Sequence, residues 1–469
     1  MADIHQRSAP SREKRTGSIA AYSGTVSALW SEASGAGLSQ RVRTFAQDQP
    51  SDLQRAFSLL RTIRGLGIVV HGPAGCAATL QAGEGFGAPW VVSGIDERDS
   101  IMGGDRRLRA AILALAAAHR LSAIAVVTSP VVVINNDDID SVRLELADEL
   151  GVPVIPVLTD GFRTKVAASG HDTAVHALFK HLPAPPRPAS EDRVNLLAIA
   201  ESAEDAAHLR SLLAEAGVSA TAVPRYGHID DIVRAGQARL SVSLDRDESN
   251  YAGEALRSRY GVDYLELPVP IGVAATGNWL RAVGGAMARG NQADGVDRLH
   301  RRRLAIERPH LTPPARARVF VHLPARPAFA VIDLLTDLGL AIAGLGLTTV
   351  SASHNPSLQR LAEQTPDLAV LVGEGQAFEE VNLVRRLRPD LIVTRGQAAV
   401  HLLRLGIPVL DLQRVPFFGY QGVVRVADAI ARRLANPSLA RFLAESREAR
   451  YTEGWLGKST HWFIKHEVK

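Results

Sequence analysis

The stretch GIVVHGPAGC, residues 67–76, places a short apolar run directly before a turn that contains two glycines and a proline. The run predicts a buried β-strand. Gly72 and Gly75 allow the backbone to turn sharply and to approach a neighbour closely, while Pro73 stiffens the bend. A buried strand followed by a glycine turn and a helix is typical of a parallel α/β fold, whose functional loops lie at the carboxyl ends of the strands.

The same alternation of strand and helix continues along the chain. Apolar residues have helical spacing in LQRAFSLLRTIRGL and RRLRAAILALAAAHR, and AIAVVTSP is a second buried strand. Proline-rich breaks at 183–190 and around 307–317 separate this region from two further runs with the same pattern. The sequence therefore predicts the α/β class, with three Rossmann-like domains whose parallel sheets are flanked by helices.

These breaks set the predicted domain boundaries. The three Rossmann-like domains are expected at 51–185, which contains the glycine turn, at 190–310 and at 315–437. Residues 1–50 are polar and rich in Ser and Arg, so we expect an N-terminal arm that becomes ordered only against a partner. Residues 438–469 are expected to form a C-terminal tail that packs at a subunit interface.

Composition narrows the class of protein. The chain has 469 residues, 46% of them hydrophobic, and a single cysteine, which excludes a disulfide framework within the chain. No leader-like segment or run of about 20 apolar residues occurs, so we expect a cytoplasmic protein that does not enter a membrane. The formal net charge is +4, but the basic residues are interspersed with acidic ones, and aromatic residues make up only 5% of the chain. Both features argue against a nucleic-acid partner.

Cys76 stands at the far end of the turn, beside the expected start of a helix. A thiolate is favoured by the dipole at a helix N-terminus, and sulfur is a good ligand for an iron–sulfur cluster or for zinc. A buried and inert cysteine is an equally simple interpretation, because free cysteine is among the most buried residue types. One cysteine does not complete a cluster site, so the other ligands would come from another chain, from carboxylates, or from both.

The turn and several later stretches resemble one family in their order along the chain. HGPAGC is similar to the cluster-binding turn of nitrogenase component 1 and its relatives. The later stretches that resemble landmarks of this family are ERDSIMGGDRRLRAAI, TSPVVVINNDDIDSV, VPVIPVLTDGFRTKVAASGHDTAVHALFKHL, LPVPIGVAATGNWLRAV, LRPDLIVTRGQAAVHLLRLGIPVLDL and PFFGYQGVVRVADAIARRLANP. The resemblance extends over about residues 60–437 and implies three Rossmann-like domains in each of a paired α and β subunit.

The resemblance also implies an iron–sulfur cluster at the subunit interface. A nitrogenase-type subunit would offer three cysteines to this cluster, but only the second of the three is present here, as Cys76. Ala46 or a neighbour stands where the first would fall, and residues 128–130 stand where the third belongs. The departure makes an eight-iron cluster doubtful and favours a [4Fe-4S] cluster completed mainly by three cysteines of the partner.

Four residues are candidates for this chain's part of that site. Gly72, Gly75 and Cys76 form the cluster-binding turn, and Cys76 is the metal ligand that the resemblance implies. Asp48 is a second candidate ligand, because the resemblance to protochlorophyllide reductases implies a carboxylate as one ligand of the cluster. Asp52 is expected to be a helix N-cap instead. The resemblance gives no catalytic residue.

The family comprises nitrogenase subunits, cofactor-assembly scaffolds and the protochlorophyllide and chlorophyllide reductases. Because this chain has no second cysteine to hold a catalytic cofactor, it looks like the β-type subunit of a nitrogenase-like reductase, in an α2β2 assembly with an α-type partner. The resemblance implies that an ATP-dependent iron protein donates electrons to the interface cluster. The alternatives are a non-catalytic scaffold for cofactor assembly and a cluster-free relative in which Cys76 is merely buried.

Three further features have a structural and a functional interpretation. His71 either is a satisfied strand-end residue or orients the cluster turn and lines a proton path. The aspartates of INNDDID, residues 134–140, are expected to cap a helix rather than to bind a metal. The aromatic residues of FFGYQG, residues 417–422, are expected to pack in the last domain rather than to line a cofactor pocket.

Overall fold

The computed structural model describes residues 19–35, 51–78, 80, 87–159, 169–182, 191–198, 202–307, 316–396, 401–445 and 454. The strands of these residues are β1 (Tyr22–Thr25), β2 (Leu66–His71), β3 (Trp90–Val92), β4 (Ala123–Thr128), β5 (Val154–Val157), β6 (Glu191–Leu197), β7 (Ser219–Val223), β8 (Ala238–Ser243), β9 (Asp263–Glu266), β10 (Arg318–Leu323), β11 (Ala341–Leu347), β12 (Ala369–Val372), β13 (Leu391–Thr394) and β14 (Val409–Asp411). The helices are α1 (Val26–Ser34), α2 (Asp52–Leu60), α3 (Ala74–Ala77), α4 (Glu97–Met102), α5 (Asp105–Ala118), α6 (Pro130–Asn135), α7 (Ile139–Leu150), α8 (Ser169–His181), α9 (Ala203–Glu215), α10 (Ile229–Val233), α11 (Arg246–Tyr260), α12 (Val273–Ala286), α13 (Gly290–Glu307), α14 (Ala325–Asp337), α15 (Asn355–Gln364), α16 (Ala377–Leu387), α17 (Gly419–Ala435) and α18 (Ser438–Glu445).

The strands form three sheets, which confirms the predicted α/β fold with three parallel sheets. The first sheet has the order β3-β2-β4-β5 and the second the order β7-β6-β8-β9, and all their pairings are parallel. The third has the order β1-β12-β11-β10-β13-β14 and is parallel apart from β1. None of the described helices is both long and apolar enough to cross a lipid bilayer.

The described residues fall into two compact units. One unit lies within 50–199 and 217–267 and contains the first two sheets; the other lies within 13–49, 200–216 and 268–469 and contains the third. Helix α9, expected as a crossover helix of the middle domain, belongs to the second unit. There its buried leucines pack with α12, α13 and α17.

The first sheet is buried on both faces, as the continuous apolar runs of β2 and β4 predict. Side chains alternate across the sheet, so Ile68 and Val70 pack in one core with Phe57 of α2, while Val69 packs in another with Leu108 of α5. The two central strands, β2 and β4, therefore end side by side at the carboxyl edge of a sheet that is packed on both faces. The glycine turn begins at that edge.

The prediction for the N-terminal arm is wrong for the residues that join the third sheet. We expected residues 1–50 to become ordered only against a partner, but part of this segment is folded within the chain. Strand β1 pairs antiparallel with β12, and α1 buries Val26 and Leu29. Thr25 caps α1 with its side chain, which accepts from the backbone N–H of Ala28. The segment was missed because one short strand and one short helix give little periodicity. The remaining residues of the arm lie outside the described part of the chain.

Candidate metal-cluster site

The Cys76 turn lies at the carboxyl edge of the first sheet, as predicted. β2 ends at His71, directly opposite Thr128 of β4, and the chain then turns through Gly72 and Pro73 into the short helix α3. The backbone N–H of Cys76 donates to the carbonyl of Pro73 at 3.1 Å. Cys76 is partly exposed, so it is not a fully buried thiol in this chain.

The two glycines of the turn have different surroundings. Gly72 is buried, and a methyl group added to it would overlap the hydroxyl of Ser129. Gly75 is exposed, and a methyl group added to it would meet no described atom within 4 Å. The first glycine is therefore required by close packing, whereas none of the described residues fills the space beside the second.

The end of β3 holds the turn in place through Ser93. The Ser93 hydroxyl accepts the backbone N–H of Gly72 at 3.0 Å and lies 2.9 Å from Nδ1 of His71. The carbonyl of Gly72 accepts the backbone N–H of Gly94 at 3.1 Å. Both polar backbone groups of the first turn residue are thereby fixed to the sheet, which orients the residues that follow.

His71 and Asp137 form a buried pair beneath the turn. Nε2 of His71 and Oδ2 of Asp137 are 3.1 Å apart without the alignment of a hydrogen bond, and both side chains are almost wholly inaccessible to solvent. Burial lowers the pKa of His71 to about 4, although the charge of Asp105 opposes this shift. His71 is thus neutral at pH 7, and its contact with Ser93 supports the interpretation that it orients the turn.

The aspartates of residues 134–140 have three separate roles. Asp138 accepts the backbone N–H of Ser141 at 3.0 Å and the hydroxyl of Ser141 at 2.6 Å, so it caps α7 as predicted. Asp137 lies inside with His71, and burial raises its pKa. Asp140 is exposed and accepts from Nε of Arg143 at 3.0 Å.

Of the two other carboxylates considered for the site, Asp48 and Asp52, the structure describes only Asp52. Asp48 and Ala46 lie outside the described residues. The prediction that Asp52 is an N-cap is wrong by one position: Ser51 caps α2 in a reciprocal pair with Gln54, and Asp52 is the first residue of the helix. A carboxylate in that position interacts favourably with the helix dipole, which explains its presence there.

The donor set of this chain fits a shared cluster and does not fit one held by this chain alone. Within the described ranges, no group of three or more His, Cys, Asp and Glu side chains is arranged to hold a metal ion. What the turn offers is one partly exposed thiol near Gly75, whose side is not covered by any described residue. An iron–sulfur cluster usually takes four thiolates, so the remaining ligands would belong to a partner.

Exposed apolar side chains surround the same edge, a feature not predicted from the sequence. Ile101 is 84% and Met102 76% exposed at the end of α4, and Ile134 is 70% exposed on the adjacent α6. Large apolar residues exposed together mark an interaction surface. A signal was present in the sequence: Ile101 and Met102 directly precede Gly103, which ends α4 with a φ of 94°.

A second polar cluster, also missed, lies at the carboxyl edge of the third sheet. Glu380 of α16 is buried between His322 of β10, which contacts its Oε1, and His401, whose Nε2 is 2.7 Å from its Oε2. Burial opposes the shift, but the charge and hydrogen bond of Glu380 raise the pKa of His322. Although burial favours the neutral acid, His322 and His401 lower the pKa of Glu380 to about 2.

This cluster predicts a pH dependence of stability. His322 has a raised pKa in the folded state, so its stabilisation is complete below its unfolded value of 6.5 and is lost as the pH rises through the folded value. We expect the free energy of unfolding to fall on this alkaline side. In Glu380→Gln we expect that fall to disappear and stability at pH 6 to drop by about 3 kcal/mol, because a buried charge loses its partner.

Denaturant unfolding at a series of pH values measures this dependence. Glu215→Gln is a matched control, because it removes a carboxylate that is 2.9 Å from Nε2 of His300 but is 39% exposed. The control should keep the wild-type slope. An unchanged alkaline slope in Glu380→Gln would contradict the assignment to His322.

The aromatic turn of residues 417–422 is structural, as expected. Phe417, Phe418 and Tyr420 are buried, and the backbone N–H groups of both phenylalanines donate to Asp205 of α9 at 2.9 and 3.0 Å. The Tyr420 hydroxyl donates to Asp297 of α13. The turn therefore fastens α17 to α9 and α13.

Comparison with known proteins agrees with this fold. The family model of nitrogenase component 1 type oxidoreductases matches residues 55–435. The chain is 22% identical over 386 residues to the nitrogenase iron-molybdenum cofactor biosynthesis protein NifE of Methanococcus maripaludis, covering 79% of this chain and 80% of the relative. It is 26% identical to NifE of Klebsiella pneumoniae, with 79% and 86% covered, and 24% identical to the nitrogenase molybdenum-iron protein alpha chain of Methanothermobacter marburgensis, with 79% and 83% covered.

A solved structure shows the same architecture. The chain superposes on nitrogenase Cp1 at pH 5 with a TM-score of 0.70 and 16% identity, over 86% of this chain and 92% of that one. The superposition shows that the chain shares the α/β fold of that protein. The chain belongs to the nitrogenase component 1 family.

Proposed function

We propose that this chain is the β-type subunit of a nitrogenase-like two-component reductase and contributes Cys76 to an interface [4Fe-4S] cluster. The observation that carries the proposal is the partly exposed thiol of Cys76, the only one in the chain, at a turn that Ser93 fixes at the edge of the first sheet. A thiol used only for packing would be enclosed by apolar side chains. Asp48 remains a proposed oxygen ligand.

The proposed partner is an α-type subunit in an α2β2 assembly, which supplies the three remaining thiolates. The relatives described above are named as an alpha chain and as NifE, so the subunit type rests on the cysteine count. With Cys76 at the interface site, this chain has no second cysteine for a separate catalytic cofactor. That deficit favours the β-type role.

The residues of this chain would hold and enclose the site. When bound, the cluster accepts and passes on single electrons. Ser93 and neutral His71 fix the turn, and Cys76 provides one thiolate ligand. The low pKa of His71 keeps the imidazole neutral in the buried region beneath the turn.

An ATP-dependent iron protein is the proposed electron donor. Its docking face would include the exposed apolar residues of α4 and α6 and the exposed acid Asp140 at the start of α7. The apolar side chains would exclude water on contact, and the acid would attract basic groups of the donor. Both lie in the same unit as the Cys76 turn.

Asp140→Asn tests this docking face. We expect a weaker apparent affinity for the iron protein and a smaller dependence on salt, because one attractive charge is lost. The melting temperature should hardly change, since an exposed ion pair such as Asp140–Arg143 contributes little to stability. Titration of electron delivery with the donor at two ionic strengths measures the effect.

Asp138→Ala is the matched control, because Asp138 caps α7. It should lower the melting temperature while leaving the salt dependence of donor binding as in the wild type. If Asp140→Asn gives the wild-type half-saturation and salt dependence, α7 is not part of the docking face.

A non-catalytic scaffold for cofactor assembly is the second candidate. It is favoured by the NifE proteins among the relatives, whose name assigns them to iron-molybdenum cofactor biosynthesis. Both candidates use the same fold, the same thiol and the same kind of partner. They differ in turnover.

Turnover with the purified complex separates the two candidates. The complex is incubated anaerobically with its iron protein, ATP and dithionite, and small reducible substrates are followed together with the metal content. A reductase consumes a substrate over many cycles. A scaffold changes its bound cluster and consumes none.

A further inference from the structure

The hydroxyl of Ser129 is a buried polar group for which the described residues offer no partner. Ser129 follows β4 at the sheet edge, is 0% exposed, and its Oγ makes no hydrogen bond within the described ranges. A buried polar group left unsatisfied costs about 1–3 kcal/mol. In native structures such a group usually has a bound water, ion or ligand as its partner.

Ser129 does not make the capping hydrogen bond that is usual for a serine at its position. Ser129 is the N-cap of α6, where a serine hydroxyl normally accepts a backbone N–H of the first helical turn. Here the side chain makes no capping hydrogen bond, and the next residue is Pro130, which has no N–H. The hydroxyl therefore has no structural role among the described residues.

The position of this hydroxyl relates it to the Cys76 turn. His71 pairs with Thr128 in the sheet, so Ser129 and Gly72 are the next residues along two adjacent strands. A methyl group on Gly72 would overlap the Ser129 hydroxyl, so the hydroxyl lies directly against the residue that begins the turn. A partly exposed thiol and an unsatisfied hydroxyl thus share one edge.

We propose that the Ser129 hydroxyl donates a hydrogen bond to a sulfur atom of the cluster that Cys76 holds, and thereby sets its reduction potential. The inference rests on the proposed function. Hydrogen bonds to cluster sulfur disperse negative charge and favour the reduced, more negative state, so they raise the potential. Ser129 is then a positioning and tuning residue, not a metal ligand.

Thr128 provides a matched control one residue away. Its hydroxyl is buried but fully used, since it donates to the carbonyl of Thr159 at 2.9 Å and accepts the backbone N–H of Thr159 at 2.9 Å. Thr128→Val removes a buried hydroxyl that serves the fold. Ser129→Ala removes one that, on this proposal, serves the cluster.

The test is an EPR-monitored redox titration of the anaerobically purified complex with its α-type partner, together with iron content and melting temperature. We expect Ser129→Ala to retain its iron, to lower the midpoint potential, and not to lower the melting temperature of the iron-free chain. We expect Thr128→Val to show the opposite pattern, with the wild-type potential and a lower melting temperature. Ser129→Thr should restore the wild-type potential if it folds.

Three results would overturn the inference. A wild-type potential in iron-loaded Ser129→Ala refutes it while leaving the Cys76 assignment intact. Loss of iron from Ser129→Ala makes the oxygen a ligand rather than a donor. A wild-type complex without iron refutes both this inference and the proposed function.

Discussion

Replacing Cys76 with alanine is expected to remove most of the iron from the complex while leaving the fold intact. The thiol is the only cysteine ligand that this chain has, and soft metals bind oxygen and nitrogen donors of the same geometry less well. Because Cys76 is partly exposed in the short helix α3, alanine should change the free energy of unfolding by less than about 1 kcal/mol. Iron analysis and EPR of the variant complex measure the loss.

Cys76→Ser is the control for this experiment. It retains a donor atom of similar size, so we expect an iron content between those of the wild type and the alanine variant. Equal iron and an unchanged EPR signal in Cys76→Ala would exclude the thiol as a ligand. The cluster would then be held entirely by ligands other than Cys76.

Replacing Gly170 with alanine is expected to destabilise the chain about as strongly as Glu380→Gln. Gly170 lies in the first turn of α8, where an added methyl group would overlap the backbone carbonyl of Asp52 at the start of α2. Backbone atoms cannot move aside as a side chain does. Overpacking typically costs 1–3 kcal/mol, and we expect about 3 kcal/mol here.

Gly295→Ala is the matched control for the same chemical change. Gly295 lies within α13, and a methyl group added there meets no atom of the described residues within 4 Å. We expect it to stabilise the chain by up to about 1 kcal/mol, because alanine is the better helix former. Denaturant unfolding compares the two, and near-equal stabilities would show that α2 and α8 are not in close contact at Gly170.

Most of the fold follows from local sequence patterns. Strands such as β2 and β4 are continuous apolar runs bounded by glycine, proline or polar turns, and this pattern specifies a strand covered on both faces. The neighbouring helices have apolar residues at helical spacing. Segments with weak periodicity escaped prediction, because β1 and α1 are short. The sequence also does not show that α9 belongs to a different compact unit from the strands that flank it.

The site was predictable only in part, because its residues come from separate segments. The glycine turn is local, so Gly72, Gly75 and Cys76 were identified directly. Ser93 and Ser129 contact the turn only because three strands end at one edge. The sequence does not encode this proximity as a motif.

The His322 cluster was missed for the same reason. Glu380 is 58 residues from His322 and 21 from His401, and no spacing in the sequence joins them. Only the parallel sheet and the return of α16 bring the three side chains together. Their role in stability is therefore a prediction from the structure and not from the sequence.

The most direct test of the central claim is the iron and acid-labile sulfide content of this chain, purified anaerobically both alone and together with its α-type partner. The account predicts an iron-free chain in the first preparation and one [4Fe-4S] equivalent per α/β pair in the second, because one thiolate cannot hold a cluster. An iron-loaded homomer, or a pure α/β complex without iron, would contradict it.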